Sequence, residues 1–218
     1  GKFLQGGFKD TDSIHLVTAF ASETKLVLAQ TQVNSKDNEI TTLPRLLDMI
    51  NIKGSVVTGD AMYCQKDVCK QLVKAKADYI LSLKRNHEHL YDDVKLWLDT
   101  QFDSGNLPIN ETVDKDHGRI EVRRYALSTK IDWLDNKSDW TGLSAVAMVD
   151  STRIIGEDSH TERRYYLTSL TDLPIVAQYI RSHWAIENSQ HWVLDVTFGE
   201  DRSVKLEKNA RSNKALLT

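Results

Sequence analysis

Apolar residues recur along this chain with two different spacings, and each change of spacing marks a change of element. Residues 13–20 and 25–33 are runs rich in β-formers separated by a short polar turn, which predicts an antiparallel hairpin. Ile40, Leu43, Leu46, Leu47 and Ile50 then fall at helical spacing behind Asn38-Glu39. Pro44 stands in the early part of that segment, where a missing N–H costs little. The run Gly54-Ser55-Val56-Val57-Thr58-Gly59-Asp60 predicts a short buried strand that delivers a carboxylate at its C-terminal end. Helical patterning resumes from Gln65 to Ala77, with Val68, Leu72 and Val73 inward. A strand over 78–84 follows, then a helix from His87 to Leu98 with Leu90, Val94 and Trp97 on one face.

That order, hairpin then helix–strand–helix–strand–helix, predicts an α/β fold with a mixed sheet flanked by helices. Residues 119–127, 143–149 and 163–169 read as further strands, an insertion or an extension of the sheet rather than an independent domain. After Thr171-Asp172-Leu173-Pro174, a helix-start signal, helical patterning runs through Glu187 towards Phe198. The chain thus divides into the first part of a core (1–101), a β-rich insertion or extension (102–170) and a C-terminal helical part (171–218).

The 218 residues, 40% hydrophobic and 27% charged with only 3 prolines, suffice to bury a core and do not describe a disordered tail. Mean hydropathy is -0.42, and no run approaches the ~18 apolar residues of a membrane span. Cys64 and Cys69 are too few for a disulfide framework and read as two buried small residues, which suits a reducing cytoplasm. The net charge of -3 argues against simple coating of a polyanion, but charge is unevenly spread. Lys66, Lys70, Lys74, Lys76, Lys84 and Arg85 outweigh Asp67 and Asp78, whereas acids from Glu88 to Asp116 outweigh Lys95 and Lys115. One basic working face with acidic flanks fits this pattern, as do ordinary solvated helix faces.

Asp60 lies where α/β sheets present ligands, beyond the carboxyl end of a strand, although a turn or cap role is equally open to it. His183, Glu187 and His191 form one helical stripe about 80° wide, opposite Ala185, Ile186, Ser189, Val193 and Val196. The stripe suits a carboxylate facing a cleft or a solvated polar face. Three zinc ligands spread over its length would strain one coordination sphere. Arg119, Glu121 and Arg123 share a face of one strand, as a charged edge or as phosphate contacts.

Five ordered blocks carry a resemblance over nearly the whole chain: Asn38-Glu39-Ile40-Thr41-Thr42-Leu43-Pro44, Thr58-Gly59-Asp60-Ala61-Met62-Tyr63-Cys64-Gln65, residues 79–86, residues 117–123, and His183-Trp184-Ala185-Ile186-Glu187-Asn188 through Glu200-Asp201. Together they resemble the ISAs-type, or H-repeat-associated, DDE transposases. The resemblance implies a ribonuclease H-like mixed sheet flanked by helices, with a β-strand insertion before the last catalytic helix. It implies acids gripping two divalent ions, Mg²⁺ or Mn²⁺, and DNA cleavage and strand transfer at transposon ends. Asp60 would be the second acid and Glu187 the third, both catalytic and metal-binding. Lys66, Lys70, Lys84, Arg85, Arg119, Arg123, Arg124, Arg181 and His183 would meet DNA, with His191 beside Glu187. The implied partners are transposon-end DNA and further copies of the chain assembled on it, with no membrane.

The family's first acid stands in an Asp-Gly-Lys block, whereas this chain opens Gly1-Lys2, and Asp10 and Asp12 match a loop rather than that strand end. A truncation at both ends and a missing first strand are therefore expected, and with them a catalytically incomplete chain. Tyr63 stands where glycine follows Asp-Ala-Met, and Arg85-Asn86-His87 replaces a Gly-Asn-Gln pattern. His183 and Leu194 stand where the wider DDE group often has Arg and Lys. A non-catalytic DNA-binding remnant is the alternative function, and a zinc hydrolase built on His183, Glu187 and His191 a more distant one.

Overall fold

The computed structural model describes residues 2–4, 14–24, 26–33, 38–116 and 118–186, which fall into two compact units. In the unit formed by Gly1–Asn51 with Ser182–Thr218, strands β1 (Lys2–Leu4), β2 (Ile14–Ala21) and β3 (Leu26–Gln32) make an antiparallel sheet in that order. The expected hairpin is β2–β3, with Thr18 opposite Gln30 and their side chains bonded at 3.2 Å. Helix α1 (Glu39–Asp48) packs on β2 and β3 through Leu43 and Leu46. Its start is fixed by a capping box: Asn38 accepts from the Thr41 amide, and the Thr41 hydroxyl accepts from the Asn38 amide, each at 2.9 Å. Pro44 is not in the first turn but well inside α1, so the helix forgoes the bond a Pro44 N–H would have made to the Ile40 carbonyl.

The second unit, Ile52–Arg181, is a six-stranded mixed sheet flanked by helices, an α/β arrangement. Its strands are β4 (Val56–Gly59), β5 (Asp78–Leu83), β6 (Ile109–Asp116), β7 (Arg119–Ser128), β8 (Ala145–Ile155) and β9 (Asp158–Thr168), ordered β4-β5-β9-β8-β7-β6. Helices α2 (Lys66–Lys74) and α3 (Glu88–Asp103) follow β4 and β5, and α4 (Leu173–Ile186) follows β9. The pair β4/β5 is parallel and all other pairs are antiparallel. Tyr79, Ile80, Leu81 and Leu83 are all buried, so consecutive residues of β5 are covered on both faces. Val68 and Leu72 of α2, Val94 and Leu98 of α3, and Val176 and Ile180 of α4 supply further buried side chains of this unit.

The strands 119–127, 143–149 and 163–169 join the β4–β5 sheet, the extension that was one of the two expected arrangements, and they acquire an edge strand, β6, that the pattern of residues 109–116 does not announce. With β6 on its outside, β7 is an interior strand, so Arg119, Glu121 and Arg123 do not guard a sheet edge.

The register also gives the sheet an overhang. β5 stops at Leu83, opposite Tyr165, whereas β9 begins at Asp158 and β8 runs on to Ile155. Residues 158–164, 149–155 and 119–125 therefore extend past the carboxyl end of β5.

Candidate functional site

Asp60 follows β4 directly and stands at the head of a single 3₁₀ turn, Ala61–Tyr63. Its backbone is extended (φ -65, ψ 169) and its side chain makes no capping bond to the turn. The Tyr63 amide donates to the Asp60 carbonyl at 2.9 Å and the Cys64 amide to the Ala61 carbonyl at 3.1 Å, which closes the turn. Gly59 lets it sit tightly on β5: a Cβ there would lie 3.0 Å from Leu81 Cδ2 and 3.2 Å from Tyr63 Cβ.

Because β4 and β5 are parallel, with Gly59 opposite Leu81, the residues after β5 emerge at the same end of the sheet as Asp60. They are Lys84 and Arg85, both exposed, with the Arg85 guanidinium 5.9 Å from the Tyr91 ring centroid. Asn86 and His87 follow and reach back to the carbonyls of Ala61 and Cys64. A carboxylate and two cations thus share the sheet end where α/β folds place ligands.

Lys66, Arg119, Arg123, Arg124 and Arg181 are held by acids. Lys66 is bonded to Asp139 at 2.7 Å, while Lys70 is exposed one turn further along α2. Arg119 and Arg123 both pair with Glu121, and Arg123 also reaches Asp114 at 2.6 Å. Arg124 pairs with Glu111 at 2.8 Å, and that bond is the main reason its guanidinium is held above its usual pKa. Arg181 bonds Asp114 at 2.7 Å. The acidic stretch is therefore no mere solvated flank: Asp99, Asp103, Glu111 and Asp114 serve arginines of β7, β9 and α4.

His183 is half-buried in α4. Glu187, His191, Asp10 and Asp12 lie outside the described residues, as does most of the packing stripe expected opposite Glu187. Among the described residues no group of three or more His, Cys, Asp and Glu side chains could hold a metal. Asp60 offers hard oxygen donors of the kind Mg²⁺ and Mn²⁺ take, and by itself it would supply one ligand rather than a complete set. Cys64 and Cys69 are free thiols, both fully buried, as their reading as small core residues expects.

Residues 5–218 match the family model described as the transposase DDE domain. This chain belongs to that family. Its relatives place it in the H-repeat-associated, ISAs-type branch of the DDE transposases. It is 37% identical over 217 residues to "Putative transposase YncI" of Escherichia coli O157:H7, covering 93% of this chain and 54% of that protein. It is 35% identical over 202 residues to "H repeat-associated putative transposase YhhI" of Escherichia coli (strain K12), covering 87% and 52%. An "Uncharacterized protein in dhlA 3'region" of Xanthobacter autotrophicus is 43% identical over 162 residues, covering 74% and 55%. The chain spans about half the length of the curated relatives it matches. No described helix of this DDE-family chain is long and apolar enough to cross a membrane.

Proposed function

We propose that this chain carries part of the active centre of a DDE transposase, which cuts DNA at transposon ends and joins it to a new site with divalent metal, Mg²⁺ or Mn²⁺. Asp60 and Glu187 are the carboxylates assigned to the metal, and the α/β core is read as ribonuclease H-like with residues 102–170 as its insertion. The observation that carries the proposal is the placing of Asp60 at the carboxyl end of β4, beside Lys84 and Arg85 at the carboxyl end of β5. A bound metal pair supplies activation of the attacking oxygen and stabilisation of the leaving one in phosphodiester cleavage. Asp60 contributes anionic oxygen donors that leave room for phosphate and water, while Lys84 and Arg85 attract the DNA backbone. A cytoplasmic location and assembly of copies on DNA accompany this role.

Non-catalytic DNA binding is a second function, favoured by the two exposed cations, Lys84 and Arg85, that follow the end of β5. One experiment separates the two. The 218-residue chain is incubated with Mn²⁺ and a duplex carrying the ends of its own element, alongside Asp60→Ala and Lys84→Ala/Arg85→Ala variants. Nicking that Asp60→Ala lowers by about a hundredfold or more supports the catalytic role. Salt-sensitive retention without nicking, weakened in the Lys84→Ala/Arg85→Ala variant, supports binding alone. Absence of DNA retention at low salt overturns both.

A further inference from the structure

The turn that carries Asp60 is short and runs from an exposed start to the buried Cys64, and two side chains from the neighbouring strand's end hold it. The Asn86 amide nitrogen donates to the Ala61 carbonyl at 2.9 Å. His87 Nε2 lies 2.6 Å from the Cys64 carbonyl oxygen. A carbonyl can only accept, so Nε2 carries the proton of that bond. The buried Trp140 meets the imidazole edge-on, with ring centroids 5.3 Å apart, and holds it in place.

These two bonds bracket the turn. The Ala61 carbonyl receives Asn86 as well as the Cys64 amide, and the Cys64 carbonyl, at the turn's far end, receives His87. Below them, Gly59 removes the side chain that would push the turn away from Leu81. A lone 3₁₀ turn has few bonds of its own and opens easily. Two anchors from a buried parallel neighbour restrict where its first residue can point its carboxylate.

We infer that Asn86 and His87 are positioning residues that clamp the turn and fix the Asp60 carboxylate for metal. This rests on Asp60 being a metal ligand, as proposed above. The clamp itself is a separate physical claim, because backbone opening of the turn is measurable without metal. Groups that orient a ligand from outside the coordination sphere typically change metal affinity about 10–100-fold when removed.

The test uses the ¹⁵N-labelled 218-residue chain with Mn²⁺ alone as probe. In Asn86→Ala/His87→Ala, amide exchange at Tyr63 and Cys64 rises about tenfold or more while protection in β5 is unchanged. Mn²⁺ broadening of the resonances around residue 60 then requires about ten times more metal. His87→Gln places an amide donor within reach of the same carbonyl and stays within about twofold of the parent in both measurements. Normal exchange at Tyr63 and Cys64 in the double variant overturns the clamp, whatever the metal does. If that variant unfolds, a folded Asn86→Ala chain with normal exchange at Cys64 overturns it equally. Broadening that survives Asp60→Ala overturns the ligand role of Asp60 instead, and with it the purpose assigned to the clamp.

Discussion

Arg181 Nη2 donates to Asp114 Oδ1 across 2.7 Å and ties α4 to the edge strand β6, 67 residues earlier in the chain. The other oxygen of the same carboxylate takes Arg123 at 2.6 Å. Chiefly because of the Arg181 bond, the Asp114 carboxyl is held below the usual carboxylate range. The two side chains are 47% and 41% exposed, so water screens much of their attraction. A double-mutant cycle on Arg181→Ala and Asp114→Ala, read by urea unfolding, is expected to give a coupling of about 0.2–1 kcal/mol. A coupling of zero would mean that the pair adds nothing to stability.

Arg163 is the more heavily committed cation. It bonds Asp150 at 2.9 Å, Asp103 at 2.6 Å and Asp99 at 3.1 Å, and lies over the Phe102 ring at 5.2 Å, joining β8, β9 and α3. Asp150 is only 7% exposed, so Arg163→Met leaves a buried carboxylate short of its donor and should cost roughly 2–4 kcal/mol in urea unfolding. The bond from Arg163 is the main cause that lowers the Asp103 carboxyl. Burial by itself would raise Asp99, but bonds from Lys95, Tyr165 and Arg163 together bring it below its usual value. Both groups hold fewer protons folded than unfolded, so their contribution is complete above about pH 4 and is lost as the pH falls through the depressed values. The acid limb of a stability–pH curve should therefore be flatter in Arg163→Met than in the parent; an equally steep limb would count against this assignment.

The two thiols report on the core. Burial pushes Cys64 up to about 12 and Cys69 up to about 11. Neither is exposed at all. In the native chain at about pH 8 both should react with a thiol reagent at least about a hundredfold more slowly than in denaturant. Rapid native labelling of either would show that α2 or the Asp60 turn opens readily.

Two glycines with left-handed backbones should behave differently on gaining a methyl group. Gly142 has φ +77, and a Cβ there would sit 2.7 Å from Val73 Cγ2, whereas Gly54 at φ +75 faces open space. Gly142→Ala carries both the backbone penalty and overpacking, roughly 2–4 kcal/mol, against about 1 kcal/mol for Gly54→Ala. Equal losses on thermal or urea unfolding would contradict the packing drawn between Val73 and the 142 turn.

The sequence carried the local structure well where one segment decides it. Asn38-Glu39 announced α1, the apolar run before Asp60 announced β4, and Asp172 announced α4, whose first turn it caps through the Ile175 amide at 3.0 Å. β6 was not legible because Ile109 and Val113 both face solvent, and its carboxylates looked like part of an acidic surface. Their partners Arg123, Arg124 and Arg181 stand on other elements, so only the folded register pairs them. The position of Asp60 could be read from its strand, but its support could not. Asn86 and His87 bind backbone carbonyls 25 and 23 residues away, and a carbonyl leaves no mark on side-chain pattern. His87 stands where the resemblance expects glutamine, and both residues present a side-chain N–H donor.

The mixed sheet also sets an order of assembly. β6 to β9 are joined to their sequence neighbours as a meander, so their pairing needs little loop closure. β5 meets β9 only when distant chain returns: the Thr168 hydroxyl donates to the Tyr79 carbonyl 89 residues before it. Closure entropy and high contact order make such a junction slow to nucleate. β4 pairs with β5 over a much shorter loop, Val56 opposite Asp78, so the segment bearing Asp60 reaches its native address on β5 without waiting for that distant junction.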